Sequence, residues 1–181
     1  MGMPREDELI QCAEGGDMEA AAHLAEGNLH GQFTGQPDYE KAYRYAKLAA
    51  EQGNARAATV LGILYLEGHC GAPDYTKARE CFLRADKLQD MKAPRFLGQM
   101  CAEGMGCERN WSEAESWYQK GAGRGDISSK YMLGKICEEG LCGNADLEQA
   151  VAWYRKAAVR KDHVGAPARE ALKRLDIDVD E

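Results

Sequence analysis

Apolar positions return along this chain with two superposed rhythms. The short one is helical: Ala57, Val60, Leu61, Leu64 and Tyr65 fall on one face, which predicts a helix from about Ala55 to Glu67 that Gly68 ends. The long one has a step of 36 residues. It separates Lys41-Ala42, Lys77-Ala78, Glu113-Ala114 and Gln149-Ala150, and equally Leu61-Gly62, Leu97-Gly98 and Leu133-Gly134, and Glu67-Gly68, Glu103-Gly104 and Glu139-Gly140. A period between about 20 and 50 residues marks a solenoid, whose units bury their apolar faces only against neighbouring units. The first unit aligns through Leu24-Ala25 and His30-Gly31 and carries one extra residue in its loop, near Phe33-Thr34-Gly35.

Each unit predicts a second helix opening at Asp38, Asp74, Asn110 and Asp146, residues whose side-chain oxygens accept free backbone N–H groups. Asn110 with Glu113 and Asp146 with Gln149 have capping-box spacing. This helix carries Tyr45, Cys81-Phe82, Trp117-Tyr118 and Trp153-Tyr154, which at helical spacing read as core that fills between units. Gly62, Gly98 and Gly134 in mid-helix each lower helix propensity by about 1 kcal/mol relative to Ala, so their recurrence predicts close approach of the second helix. Arg5 to Glu14 and Ala166 to Leu175 read as capping helices with a solvated acidic tail from Asp176 to Glu181. The expected organisation is one domain: an N-terminal cap over 1–16, repeats over 17–53, 54–89, 90–125 and 126–163, and a C-terminal cap with tail over 164–181.

Composition narrows the function classes. A formal charge of −7 excludes a generic nucleic-acid binder and disfavours acidic membranes. The longest apolar run, Val60 to Leu66, is interrupted by Gly62 and falls far short of the roughly 20 residues of a membrane helix. The N-terminus lacks the apolar centre of a signal peptide, so a cytoplasmic location is expected, or a periplasmic or secreted one if an export signal has been removed. The seven cysteines are an odd number, which leaves at least one free thiol in any monomeric pairing. Cys81, Cys101 and Cys137 stand at core positions, whereas Cys70, Cys107 and Cys142 lie in loops and are expected to be the more reactive.

The run Leu61-Gly-Ile-Leu-Tyr-Leu-Glu-Gly68, followed by Asp74-Tyr-Thr-Lys-Ala78, resembles the Sel1-like repeat, a relative of the tetratricopeptide repeat. Trp153-Tyr-Arg-Lys-Ala-Ala158 continues the pattern, and the resemblance extends from residue 17 to about 163. It implies an all-α fold: a right-handed α/α superhelix (solenoid) of four helix-turn-helix units with capping helices at both ends. It also implies use as an adaptor for protein partners, and in some members as a secreted or periplasmic binding module. A cysteine-rich branch staples its units with disulfides between cysteines eight apart; Ala50 and Ala58, and Ala122 and Lys130, stand at those places, so the stapling is not carried over. Asp86-Lys87-Leu88-Gln89 lacks the closing glycine, which predicts a looser seam between the second and third units.

If the units stack as in that family, the first helices line the concave side. Residues not spent on packing are then Glu19, Glu26, Leu29 and His30, Arg56, Thr59, Ile63 and Leu66, Lys92, Arg95 and Gln99, and Ser128, Tyr131, Lys135 and Glu138. Arg56, Thr59, Ile63, Lys92, Arg95, Gln99, Ser128, Tyr131 and Lys135 are the expected partner-binding set. Arg56, Lys92, Arg95 and Lys135 would form a positive strip able to steer an acidic peptide or a C-terminal carboxylate; a solvated helix face is the plainer reading.

No catalytic motif is present: there is no His-Glu-x-x-His, no Walker-type loop and no Cys-x-x-Cys, and Gly121-Ala-Gly-Arg-Gly125 falls at an inter-unit turn. His30, His69, Cys70 and Cys107 match no standard zinc spacing, so no metal and no cofactor are expected. The expectation is a monomeric, non-enzymatic adaptor, scaffold or immunity-type protein binding a protein or peptide. A small-molecule-binding or weakly hydrolytic module is the alternative.

Overall fold

The computed structural model describes residues 5–178, and all regular structure among them is helical. Val179–Glu181, the end of the expected acidic tail, and Met1–Pro4 lie outside the described residues. The chain divides into two compact units, one ending at Ala93 and the other beginning at Pro94.

The first unit holds α1 (Glu6–Glu14), α2 (Met18–Leu29), α3 (Tyr39–Glu51), α4 (Ala55–Glu67) and α5 (Tyr75–Lys87). Its core is built largely from alanine: Ala21, Ala22, Ala25, Ala42, Ala46 and Ala49 are all fully buried, so small side chains set the close contact of α2 with α3. In the next pair the same contact is made by Gly62 of α4 under the ring of Phe82 of α5, where a Cβ on Gly62 would stand 2.5 Å from the ring. The mid-helix glycine thus serves the close approach expected of it; the matching positions of the first repeat hold Ala25 and Ala46, both fully buried, and α2 places Gly27 instead against the Phe33 ring. The α3 and α5 starts are capped by Asp38 and Asp74, whose carboxylates accept from the backbone N–H of Lys41 and Lys77, each at 3.0 Å. Their own backbone N–H groups donate back to the carbonyls of Asn28 and Tyr65 at 2.9 Å, which ties each second helix to the end of its first.

The second unit holds α6, which begins at the boundary (Ala93–Glu103), then α7 (Trp111–Gly123), α8 (Ile127–Glu139), α9 (Leu147–Ala158) and α10 (Ala166–Arg174). The pairing rule repeats: Gly98 lies against Tyr118 and Gly134 against Tyr154, and both rings are buried. Asn110 and Asp146 cap α7 and α9 and donate their backbone N–H groups to the carbonyls of Cys101 and Cys137. The capping-box return expected of Gln149 differs, because its side-chain oxygen accepts from the Cys137 thiol at 3.1 Å. The first aromatic of each doublet is also less buried than expected. Trp117 and Trp153 are half-buried, with the ammonium groups of Lys120 and Lys156 over their rings at 5.1 and 4.2 Å.

Inter-repeat turns place one residue in the left-handed region. It is Gly16 (φ 94°), Gly53 (φ 86°) and Gly125 (φ 96°), but at the turn after α5 it is Gln89 (φ 65°). A residue with a Cβ adopts that conformation at a cost glycine does not incur.

Candidate functional site

In the first unit, the exposed sides of α2 and α4 meet in a network of charges. The Arg56 guanidinium lies 3.1 Å from Glu19 and 3.9 Å from Glu26, and it also contacts the His23 ring at 2.9 Å. Lys92 donates to the same Glu26 at 2.7 Å, and Asn54, the cap of α4, donates to Glu19 at 2.7 Å. Burial pushes the Glu26 pKa up, but the Lys92 hydrogen bond and the charges of Lys92 and Arg56 outweigh it, so the carboxyl ionises below its ordinary value. Arg56 and Lys92 keep side-chain exposures of 36% and 43%, which leaves both within reach of a partner.

The other expected residues of this unit divide. Ile63 is half-buried and packs on the core, and Leu66 and Leu29 are buried. Thr59 departs from expectation: it is only 3% exposed, and its hydroxyl donates to Asp90 at 2.8 Å. The same Asp90 oxygen accepts from the backbone N–H of Lys92 and Ala93 at the start of α6. Thr59 therefore holds a helix cap and is withdrawn from any partner surface.

In the second unit, Arg95 lies 3.7 Å from the buried Asp126 and 4.4 Å over the Phe96 ring. Asp126 is in turn the cap of α8, accepting from the backbone N–H and the hydroxyl of Ser129. Lys135 pairs with Glu139 at 3.5 Å, Gln99 donates to Glu103 at 3.1 Å, and Tyr131 lies beside Tyr154 with ring centroids 5.7 Å apart. Ser128 is half-buried. Glu138 accepts from the Tyr154 hydroxyl and from Arg174. Each of the four cations expected to form a bare positive strip is thus set against a carboxylate of its own unit.

A surface pocket of about 500 Å³ opens between the first two repeats, lined by Glu40, Tyr43, Tyr65, His69, Cys70 and Lys77. The Tyr43 and Tyr65 rings meet edge to face with centroids 6.1 Å apart, and their hydroxyls share a hydrogen bond of 3.2 Å. That bond, with burial, pushes the Tyr65 pKa well above the ordinary phenol value. His69 is braced by stacking on Tyr39 at 3.8 Å and by Glu67 at 2.6 Å. The Cys70 thiol points to the Tyr39 carbonyl, so His69 and Cys70 do not form a nucleophile–base pair. Sequence reasoning missed this pocket; its signal was Tyr65 standing in a slot that Cys101 and Cys137 fill in later repeats.

The loop cysteines Cys70, Cys107 and Cys142 are exposed, whereas Cys81 is half-buried and Cys101 and Cys137 are buried. Burial holds the Cys70 thiol above its ordinary pKa, and burial with hydrogen bonding to Glu115 pushes Cys142 up to about 11, so both are thiols rather than nucleophilic thiolates at neutral pH. All seven cysteines are unpaired in the structure. Among the described residues, no group of three or more His, Cys, Asp or Glu is placed to hold a metal, and no helix is long and apolar enough to cross a membrane.

Paired helices locked at a glycine, capped by an acid or amide and repeated at a fixed step define an all-α solenoid repeat protein. The Sel1 repeat family model matches residues 19–54, 55–87, 94–126 and 127–158, and the chain belongs to that family. Sel1 repeat proteins are in general protein-interaction modules and not enzymes. The chain is similar to a Sel1 repeat protein from Oxalobacter formigenes, with 26% identity and a TM-score of 0.80 over 94% of this chain and 68% of that one. It is also similar to a protective antigen of uropathogenic Escherichia coli with an SLR fold, with 28% identity and a TM-score of 0.74 over 94% of this chain. It spans only 36% of that antigen. Cysteine-rich protein B of Helicobacter pylori shares the fold at 23% identity and a TM-score of 0.55, over 74% of this chain and all of that one. No curated protein matches the sequence.

Proposed function

We propose that the chain is a non-enzymatic protein-interaction module that engages a protein or peptide segment on the first-helix face of its first unit, with Arg56 and Lys92 as the cationic contacts. The observation that supports this reading is their convergence on Glu26. Two half-exposed cations share one carboxylate, so a carboxylate of a partner can take over one of them without leaving Glu26 unpaired. Surface ion pairs of this kind are individually worth about 0–1 kcal/mol, which makes the exchange energetically close to balanced and leaves selectivity to geometry.

Selection of peptide ligands from a random display library on the purified chain tests this. Enriched ligands are expected to carry clustered carboxylates or an acidic C-terminus, and Arg56→Ala with Lys92→Ala is expected to weaken them about tenfold, equivalent to about 1.4 kcal/mol. Ligands that bind the doubly substituted protein undiminished would overturn the assignment. The tyrosine-lined pocket of about 500 Å³ leaves room for the alternative of a small-molecule-binding module, but its rings and its charge favour a peptide side chain.

A further inference from the structure

The repeat register isolates one junction whose residues do not follow the packing pattern. Counting by the repeat step, the positions of Tyr39, Tyr43, Tyr65, Cys70 and Lys77 are held in the third and fourth repeats by Trp111, Glu115, Cys137, Cys142 and Gln149. At that later junction the residues answer one another: Trp111 packs into the core, Cys142 hydrogen-bonds Glu115, and Cys137 donates to Gln149. At the first junction, tyrosines replace the acid and the cysteine, and a pocket of about 500 Å³ remains open between them.

The charges around this pocket do not cancel. Lys77 is answered by Asp74 at 3.0 Å and His69 by Glu67 at 2.6 Å. Glu40 is exposed on the same wall and has no ion pair or hydrogen bond among the described residues, so the uncompensated charge is negative. The aromatic surfaces point the same way. A ring face attracts a cation within about 6 Å of its centroid. The Lys77 ammonium already stands 5.4 Å from the Tyr65 centroid, and the Tyr43 ring is set at 85° to Tyr65, making a corner of two aromatic walls.

We propose that the Tyr43–Tyr65 corner is a subsite for a cationic side chain of a peptide partner, an arginine or lysine whose charge is met by Glu40 and whose stem lies along the rings. The two phenol hydroxyls share one hydrogen bond, which leaves one O–H to donate to a backbone carbonyl of the same peptide. This subsite is distinct from the carboxylate-binding contact at Arg56 and Lys92 and stands or falls separately from it.

The test uses the full chain and two probes, acetyl-Gly-Arg-Gly-amide and acetyl-Gly-Glu-Gly-amide, followed through the aromatic NMR signals of the tyrosines. The arginine peptide is expected to shift the Tyr43 and Tyr65 signals saturably, and the glutamate peptide to leave them in place. Tyr43→Val, which installs the residue found at position 151, should weaken binding about fivefold or more. Glu40→Gln alters an exposed side chain, leaves the fold intact, and should weaken it about threefold. Three results would each overturn the proposal: no saturable shift up to the solubility limit of the arginine peptide, an equal response to the glutamate peptide, or arginine-peptide binding unchanged by Glu40→Gln and Tyr43→Val.

Discussion

Gly62→Ala tests how the helix pairs are locked. An added methyl would stand 2.5, 2.7 and 2.9 Å from three carbons of the Phe82 ring, and that ring is 0% exposed, so it has no open side to move into. Overpacking of this kind costs about 1–3 kcal/mol, against about 1 kcal/mol gained by replacing a helical glycine with alanine. With the contact this short, the expected net loss is about 1–2 kcal/mol. Phe82→Ala alone should cost about 3–5 kcal/mol through its cavity. In that background the methyl enters vacated space, and Gly62→Ala turns favourable by about 1 kcal/mol, its helix-propensity gain. The coupling is then about 2–3 kcal/mol, well beyond the roughly 0.5 kcal/mol within which independent sites add. The double variant reproduces the alanine pair that the first repeat already uses, Ala25 with Ala46, both fully buried. Urea unfolding of the four proteins at constant slope gives the cycle. Additivity of the two substitutions, or a Gly62→Ala protein more stable than its parent, would refute the reasoning.

Gln89→Gly should stabilise the first unit by about 1 kcal/mol, because Gln89 holds φ 65° where the equivalent turns use glycine; an unchanged urea midpoint would show that no strain resides there. The Cys81 thiol is pushed from 9.0 up to about 11, first by burial and then by the charge of Glu80. The unfolded chain therefore loses this proton first as pH rises, so the stability associated with the buried thiol is complete below pH 9 and declines between pH 9 and about 11. Cys81→Ala should flatten the fall of stability across that window, measured by denaturant midpoints at each pH; an unaltered slope would contradict the assignment.

The helices, their caps and the glycine contacts were legible because each depends on residues within one repeat. Asp74 caps α5 through Lys77 three residues away, and Gly62 meets Phe82 twenty positions on, a spacing that recurs between Gly98 and Tyr118 and between Gly134 and Tyr154. The charge pattern depends on neighbouring repeats and was harder to see. Arg56 and Lys92 share one register position, but the first residue of that series is Glu19, and the structure places it 3.1 Å from Arg56. Lys92 reaches across to Glu26, 66 residues away, which no local spacing indicates. Thr59 was misplaced for the same reason. It shares its register position with Arg95 and Tyr131, and like Arg95 beside Asp126 it lies against the cap of the following helix, donating its hydroxyl to Asp90. The tyrosine pocket shows the converse. Its residues were visible in the sequence as an interruption of the series Tyr65, Cys101 and Cys137, but a core slot tolerates many apolar fillings. What separates the pocket from mere packing variation is the unanswered carboxylate of Glu40 beside two perpendicular rings, a relation between helices that periodicity alone does not encode.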